Sequence, residues 1–393
     1  MLQKIKIAVV VACLGICTGL GAHYLLNKED GKLIEKPLQF TMPEEGVKTD
    51  AFSLRLFQTA VEHSPQASVM VSPALLCKAL QELAAIAETP IQQELAKLNL
   101  PSRSEKHTVT PLQSILLATD FNLKYHLDDT HKSSLMRLPF STNLPMALEL
   151  FNSTLVHTSD LPQEVFAKGK IINRHSRFVV GLASGFTPIF QVPFLSAHAT
   201  TATFENANGS LPNITMLQAR GSLRHIKDTE GKWEAIALPL QPNVSYEETP
   251  TVLIGILPTH NAEKMALSLT TDELSHIRQK LLEAPPTDCT VCLPQMVWSP
   301  PLHDMHALLS GMGMDKLFDT TAKNWRFADQ ELGISVMVEK LSLSILPQKG
   351  DAHQQAKPEN APTVISFDRP FIWLVGDLTT DTPPYFMGLL QNL

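Results

Sequence analysis

Four groupings of side chains in this sequence carry residue types that chemistry needs. Ser184 stands in Gly181-Leu-Ala-Ser184-Gly185. A nucleophile held on a strained turn needs Gly-x-Ser-x-Gly, and this run is displaced by one position. His303-x-x-His306 has the spacing of two imidazoles on one helix, but no third ligand stands near them. Cys289-Thr-Val-Cys292 has the spacing of a zinc or redox pair. The flanking Thr, Val and Leu read as a strand, however. Residues three apart on a strand point to opposite faces and cannot clamp one metal. Arg220, Arg224 and Lys227 lie close in sequence but are too few to form a polyanion-binding face. The expectation is a protein that is not an enzyme, holds no metal and needs no cofactor.

The elements that would position any site come from a chain of 393 residues, 44% of them hydrophobic. That share supplies a large core and excludes a disordered or fibrous chain. Only 18% of residues are charged and the net charge is −7. No basic block of five or more occurs, which argues against a nucleic-acid partner. With 28 prolines and 18 glycines, connections are punctuated by proline, and glycine-rich phosphate loops are not expected.

Lys4 and Lys6 precede an apolar run from Ile7 to about Ala22, continued by Tyr24, Leu25 and Leu26. This reads as a secretory signal over 1–21, with Gly19 and Gly21 as the small residues at the cleavage site. The alternative is an uncleaved membrane anchor, because Ile7 to Leu26 is just long enough to span a bilayer. Residues 22–49 read as a polar tail, and one domain is expected over 50–393. Asn152, Asn208, Asn213 and Asn243 each begin an Asn-x-Ser/Thr sequon, as in a glycosylated secreted protein. Beyond the leader only Cys77, Cys289 and Cys292 remain. An odd, small number of cysteines is not a disulfide framework.

Helical signals come early. Asp50 is placed to cap a helix with the stripe Phe52, Leu56, Ala60. Ser72-Pro73 is a helix start followed by Leu76, Leu80, Leu83 and Ala87 on one face. Thr89-Pro90 repeats it, with Gln92 completing a capping box. Strand signals come late: Arg177–Leu182, Lys232–Leu238 and Thr251–Pro258, the last buried on both faces. Leu341, Leu343 and Ile345 alternate with Ser342 and Ser344, which predicts a strand with one wet face. Phe371–Val375 and Tyr385–Leu390 form a hairpin around Thr379, Thr380 and Asp381. No internal repeat is visible. Helices early and strands late give an α+β architecture. Between two of the strands, Pro347–Pro362 is almost wholly polar. A connection of that length inside a compact domain is uncommon and usually functional or disordered.

Taken in order, several motifs resemble the serpin family. Phe367-Asp-Arg-Pro-Phe371 and Phe386-Met-Gly388 resemble its closing Phe-x-x-Pro-Phe and Phe-Met-Gly signatures. Leu293-Pro294, followed by Leu302 to Phe318, is similar to its Leu-Pro strand and the helix leading to a Gly-x-x-x-Leu-Phe turn. Phe186-Thr-Pro-Ile-Phe190-Gln-Val-Pro-Phe194 resembles a Phe-x-Gly-x-Trp-x-x-x-Phe stretch, and Val71-Ser72-Pro73 the Phe-Ser-Pro start of a buried helix. The resemblance runs from about residue 50 to residue 393. It implies one domain with three β-sheets, eight to nine helices and an exposed reactive loop at the polar segment. In inhibitory members a protease cuts this loop, which then enters the main sheet as a new strand and traps the acylated protease.

The loop of this chain departs from that pattern. Lys349-Gly350 resembles the hinge, which continues through Asp351, Ala352 and His353. The positions that would turn inward on insertion are Asp351, His353, Gln355 and Lys357, and burying an unpaired Asp and Lys costs several kcal/mol each. Pro358 lacks a ladder donor. Counted from the hinge, the scissile residue falls near Val364. Counted back from Phe367, it falls near Glu359 and Asn360. The loop is therefore about five residues short. Glu339 stands where the resemblance places a sheet-controlling His, Leu182 where it places an Asn, Phe190 where it places a Trp, and Leu75 where it places a second Ser. These departures predict a secreted, extracellular, monomeric serpin-like protein that does not trap proteases and serves as a carrier, precursor or binding protein. The alternative is a serine-type endopeptidase inhibitor acting through the 347–366 loop. The expected partners are a protease, a receptor or a small ligand, with a membrane involved only if the N-terminal segment stays uncleaved.

Overall fold

The computed structural model describes residues 49–98, 100, 112–120, 135–159, 161, 171–241, 251–301, 303–349, 362–378 and 382–393. The expected leader, nearly all of the polar tail, the Thr379–Asp381 turn, Asn243 and loop residues 350–361 lie outside them. Among the described residues no helix is long and apolar enough to cross a membrane.

The fold is α+β. In chain order the helices are α1 (Thr49–His63), α2 (Pro73–Ile86), α3 (Thr89–Lys97), α4 (Leu144–Ser159), α5 (Ala262–Ser268), α6 (Thr271–Glu283) and α7 (Met305–Gly311). The early strands are β1 (Val69–Val71), β2 (Leu112–Thr119), β3 (Leu135–Arg137) and β4 (Phe178–Phe186). The middle ones are β5 (Thr200–Asn206), β6 (Gly209–Lys227), β7 (Trp233–Pro239), β8 (Thr251–Pro258) and β9 (Thr287–Pro294). The last are β10 (Met296–Trp298), β11 (His303–Asp304), β12 (Val336–Ile345), β13 (Thr363–Ser366), β14 (Phe371–Asp377) and β15 (Phe386–Leu390). Seven α-helices and two 3-10 turns are thus seen among the described residues. A six-stranded sheet runs β10-β12-β4-β2-β3, with β11 beside β10 on the outer edge of β12. The other two expected sheets merge. Strand β6 pairs with β5 and β9 through one half and with β7 through its end, giving a continuous order β1-β15-β14-β8-β7-β6-β9-β13.

Sequence pattern accounts for most of this. Strand β8 lies between β7 and β14, so every one of its residues is buried and its unbroken apolar run is required. Gly255 within it leaves room for the Phe367 ring, since a Cβ there would lie 2.4 Å from that ring. Strands β14 and β15 pair antiparallel as a hairpin. Ser72 caps α2 by accepting a hydrogen bond from the Leu75 N–H, and Pro73 occupies the first turn.

Other sequence expectations need correction. Helix α1 begins at Thr49, so Asp50 lies in its first turn and not at its cap. The N-cap of α3 is Glu88, without a side-chain cap bond, and the Gln92 amide donates instead to the Ala84 carbonyl. The expected capping box is therefore absent. The Ser face of β12 is not wet either: Ser342 is buried, and Val338 on the same face packs with Phe151 and Leu155 of α4. A helix laid across the front of the sheet covers what alternation alone reads as solvent side. Gly181 permits that close seat, because a Cβ on it would stand 2.5 Å from the Phe151 ring.

Candidate functional site: the β4–β12 seam and the root of the loop

The connection that the sequence marked as functional leaves β12 and returns at β13. Its root lies at the top of the pair β4–β12. These strands are parallel and in unbroken register from Val336↔Val179 to Leu343↔Phe186. Both faces of the seam are covered. Leu182, Met337 and Leu341 face the main core, while Val179, Ala183 and Val338 face α4.

The seam continues past the end of the strands. The Gln348 backbone N–H donates to the Phe194 carbonyl at 2.7 Å. Its side-chain amide reaches Phe190 twice, accepting from the backbone N–H at 3.2 Å and donating to the carbonyl at 3.1 Å. Leu195 and Gln348 form a further parallel bridge. The segment that Gln348 grips is itself held. The Phe190 and Phe194 rings are buried and meet edge to face, with centroids 4.9 Å apart. Gln191 and Gln241 bond this stretch to the end of β7. Gln348 is thus a clasp across the mouth of the seam, next to the exposed Lys349. Sequence reading passed over it, because a lone glutamine carries no signal until its partners are known.

Lower in the seam, Glu339 pairs with Leu182 on β4 and with His303 on β11. It is completely buried, and among the described residues no side chain pairs with either carboxyl oxygen. Burial pushes its pKa from the ordinary 4.5 up to about 8. The nearby Ser72 backbone N–H offsets part of that rise. His303 supplies no cation in return, since burial and then the Lys340 ammonium hold its pKa below the usual value. At neutral pH the centre of the seam therefore holds a protonated acid.

The other flagged residues are dispersed. Among those expected in the loop, Lys349 and Val364 are described, while Gly350, Asp351, Ala352, His353, Glu359 and Asn360 lie outside the described residues. Val364 is 61% exposed but belongs to β13, paired with Thr290 of β9. His303 and His306 do not share a helix: the first is in β11 and the second in α7. Cys289 and Cys292 are buried thiols on β9, and Cys77 is a buried thiol on α2; none is in a disulfide among the described residues. Ser184 is buried within β4, far from any strand-to-helix turn. Arg220 pairs with Asp288, Lys227 with Glu234, and Arg224 donates to the carbonyls of Leu282 in the last turn of α6 and of Ala284 just after it. These three cations are engaged within the fold. Asn152 is half-buried on α4, whereas Asn208 and Asn213 are exposed on the β5–β6 hairpin.

A six-stranded sheet with a long connection rooted at a closed parallel seam is a specific arrangement. A family model described as Serpin (serine protease inhibitor) matches residues 152–393. The chain belongs to the serpin family. Solved structures agree with this serpin in fold. Native protease nexin-1 with heparin is 16% identical, covers 88% of this chain and 98% of its own, and has a TM-score of 0.73. Uncleaved ovalbumin is 15% identical over 88% and 99%, also at 0.73. Serine protease inhibitor (serpin)-12 of Manduca sexta is 16% identical over 88% and 98%, at 0.72. A comparison with curated protein sequences returns no match.

Proposed function

We propose that this serpin is a secreted binding protein whose loop does not enter the sheet, so that it does not trap proteases. The observation that carries the reading is the seam itself, clasped by Gln348 at its mouth and covered on both faces. A strand inserted between β4 and β12 would have no wet face at the level of Gly181 and Val338. Asp351 and Lys357 share one parity, so on either register both would be driven together beneath α4 or into the main core, at several kcal/mol each. The start of β13 at Thr363 bears on the two scissile counts. The count that ends near Glu359 and Asn360 leaves the cut in the connection; the one that ends at Val364 puts it inside a paired strand. The short loop is the surface we assign to a protease, receptor or ligand that engages it without a trapping step.

The test is thermal unfolding of the purified protein before and after a single cut between Lys349 and Thr363, with denaturing gels after incubation with serine and cysteine proteases. An unchanged Tm and no covalent adduct support the proposal. A rise of tens of degrees, or a denaturant-stable complex, overturns it and restores the endopeptidase-inhibitor reading.

A further inference from the structure

The three sequons among the described residues meet different fates in the fold. Asn152 lies on α4 between Phe151 and the rest of the face that packs on the sheet, and its side-chain oxygen is shut away from solvent. Its neighbours Phe151 and Leu155 occupy the space that the missing Cβ of Gly181 leaves open. Asn152 is only half-exposed and the oxygen end of its amide is enclosed, so a bulky sugar there would crowd a helix packed closely on the sheet.

The β5–β6 hairpin is the opposite case. Ala207 and Asn208 form its two-residue turn, followed by Gly209 at φ +131°. Asn208 and the sequon hydroxyl residue Ser210 are both exposed. Asn213 has φ +60°, a left-handed conformation that Asn tolerates better than most side chains. It sits where the ladder slips between Ala202 and Phe204, and both Asn213 and Thr215 are exposed. A bulge of this kind re-aims the side chain that carries it. From Gly209 to Asn213 every residue is exposed, so nothing packed has to move to accommodate a large polar substituent on either amide.

We propose that Asn208 and Asn213 both carry N-linked glycans and that Asn152 does not. In the transfer, the Asn amide nitrogen attacks C1 of a polyprenyl-pyrophosphate-linked oligosaccharide. The N–C1 bond forms, the C1–oxygen bond to pyrophosphate breaks, and the amide gives up one proton. The assignment rests on the secreted reading, and the experiment separates the two. The full chain is expressed in a eukaryotic secretory host in two forms, one with its own N-terminus and one behind an established cleavable leader. Secreted protein is treated with peptide-N-glycosidase in heavy-oxygen water, which leaves a mass mark at every formerly glycosylated Asn. The expected result is a mark at Asn208 and at Asn213, none at Asn152, and the loss of one gel step in each of N208Q and N213Q. A mark at Asn152, or an unmarked Asn208 or Asn213 in secreted leader-fused protein, overturns the assignment. If only the leader-fused form is secreted and marked as expected, the site assignment stands and the secretion reading falls.

Discussion

Replacing Glu339 with Gln should make this serpin more stable, and by an amount that depends on pH in a calculable way. The folded protein holds the carboxyl proton up to about pH 8, whereas the unfolded chain releases it near 4.5. Between those values the native state binds the extra proton, so stability falls as pH rises. The contribution is complete below about pH 4.5, is lost progressively up to about pH 8, and is flat beyond. A separation of about 3.5 at about 1.4 kcal/mol each amounts to about 5 kcal/mol across the window. Glutamine has nearly the same shape and no proton to lose, so it removes this dependence. The assay is denaturant unfolding of both proteins at intervals from pH 5 to pH 8.5, taking the difference at each pH so that other titrating groups cancel. The variant should match the wild type near pH 5 and lead it by several kcal/mol at pH 8. A pH-independent difference, or a wild type that is the more stable at pH 8, would refute the picture of a buried acid without a compensating charge.

Gln348→Ala removes both side-chain bonds to Phe190. It should cost about 1–3 kcal/mol and speed proteolysis between Lys349 and Thr363, and an unchanged cleavage rate would show that the clasp does not restrain the loop root. Gly181→Val thrusts methyl groups into the Phe151 ring and should lower stability by about 1–3 kcal/mol or more, read as a drop in Tm; a neutral result would mean that α4 does not sit on the sheet as described. Burial pushes the Cys77 thiol up to about 12, so iodoacetamide at pH 8 should alkylate Cys77 only after denaturation, as peptide mass spectrometry would reveal.

Much of the fold was legible because local pattern and tertiary environment agree. The β8 run and the Ser72-Pro73 cap are satisfied by their own residues and immediate neighbours. The strand read around Cys289 and Cys292 is β9. The failures share a cause, which is an element arriving from far along the chain. Ser342 is buried by a front face covered in part by α4, nearly two hundred residues earlier in sequence. Asn324 bonds the backbone of Glu88 and fixes the start of α3 one residue ahead of the Thr signal. At the candidate site, Glu339 stood out only by contrast with the family pattern. Its burial depends on strands and a helix start that sequence spacing does not bring together. Gln348 carried no local signal at all.

The pairing of β15 has a consequence for how the chain is made. Residues Phe386–Leu390 fill the place between β1, at Val69–Val71, and β14, so that Val69 lies opposite Leu389. A ribosome delivering the chain from its N-terminus has β1 ready for more than three hundred residues before its partner exists. The largest sheet cannot be completed until Phe386–Leu390 has emerged, and closing so distant a contact is slow. Until β15 is seated, the inward face of β14 and the edge of β1 stay open to other chains. The hazard for this protein in the cell is therefore concentrated in the interval before β15 is seated, and a chaperone holding those two edges would cover it.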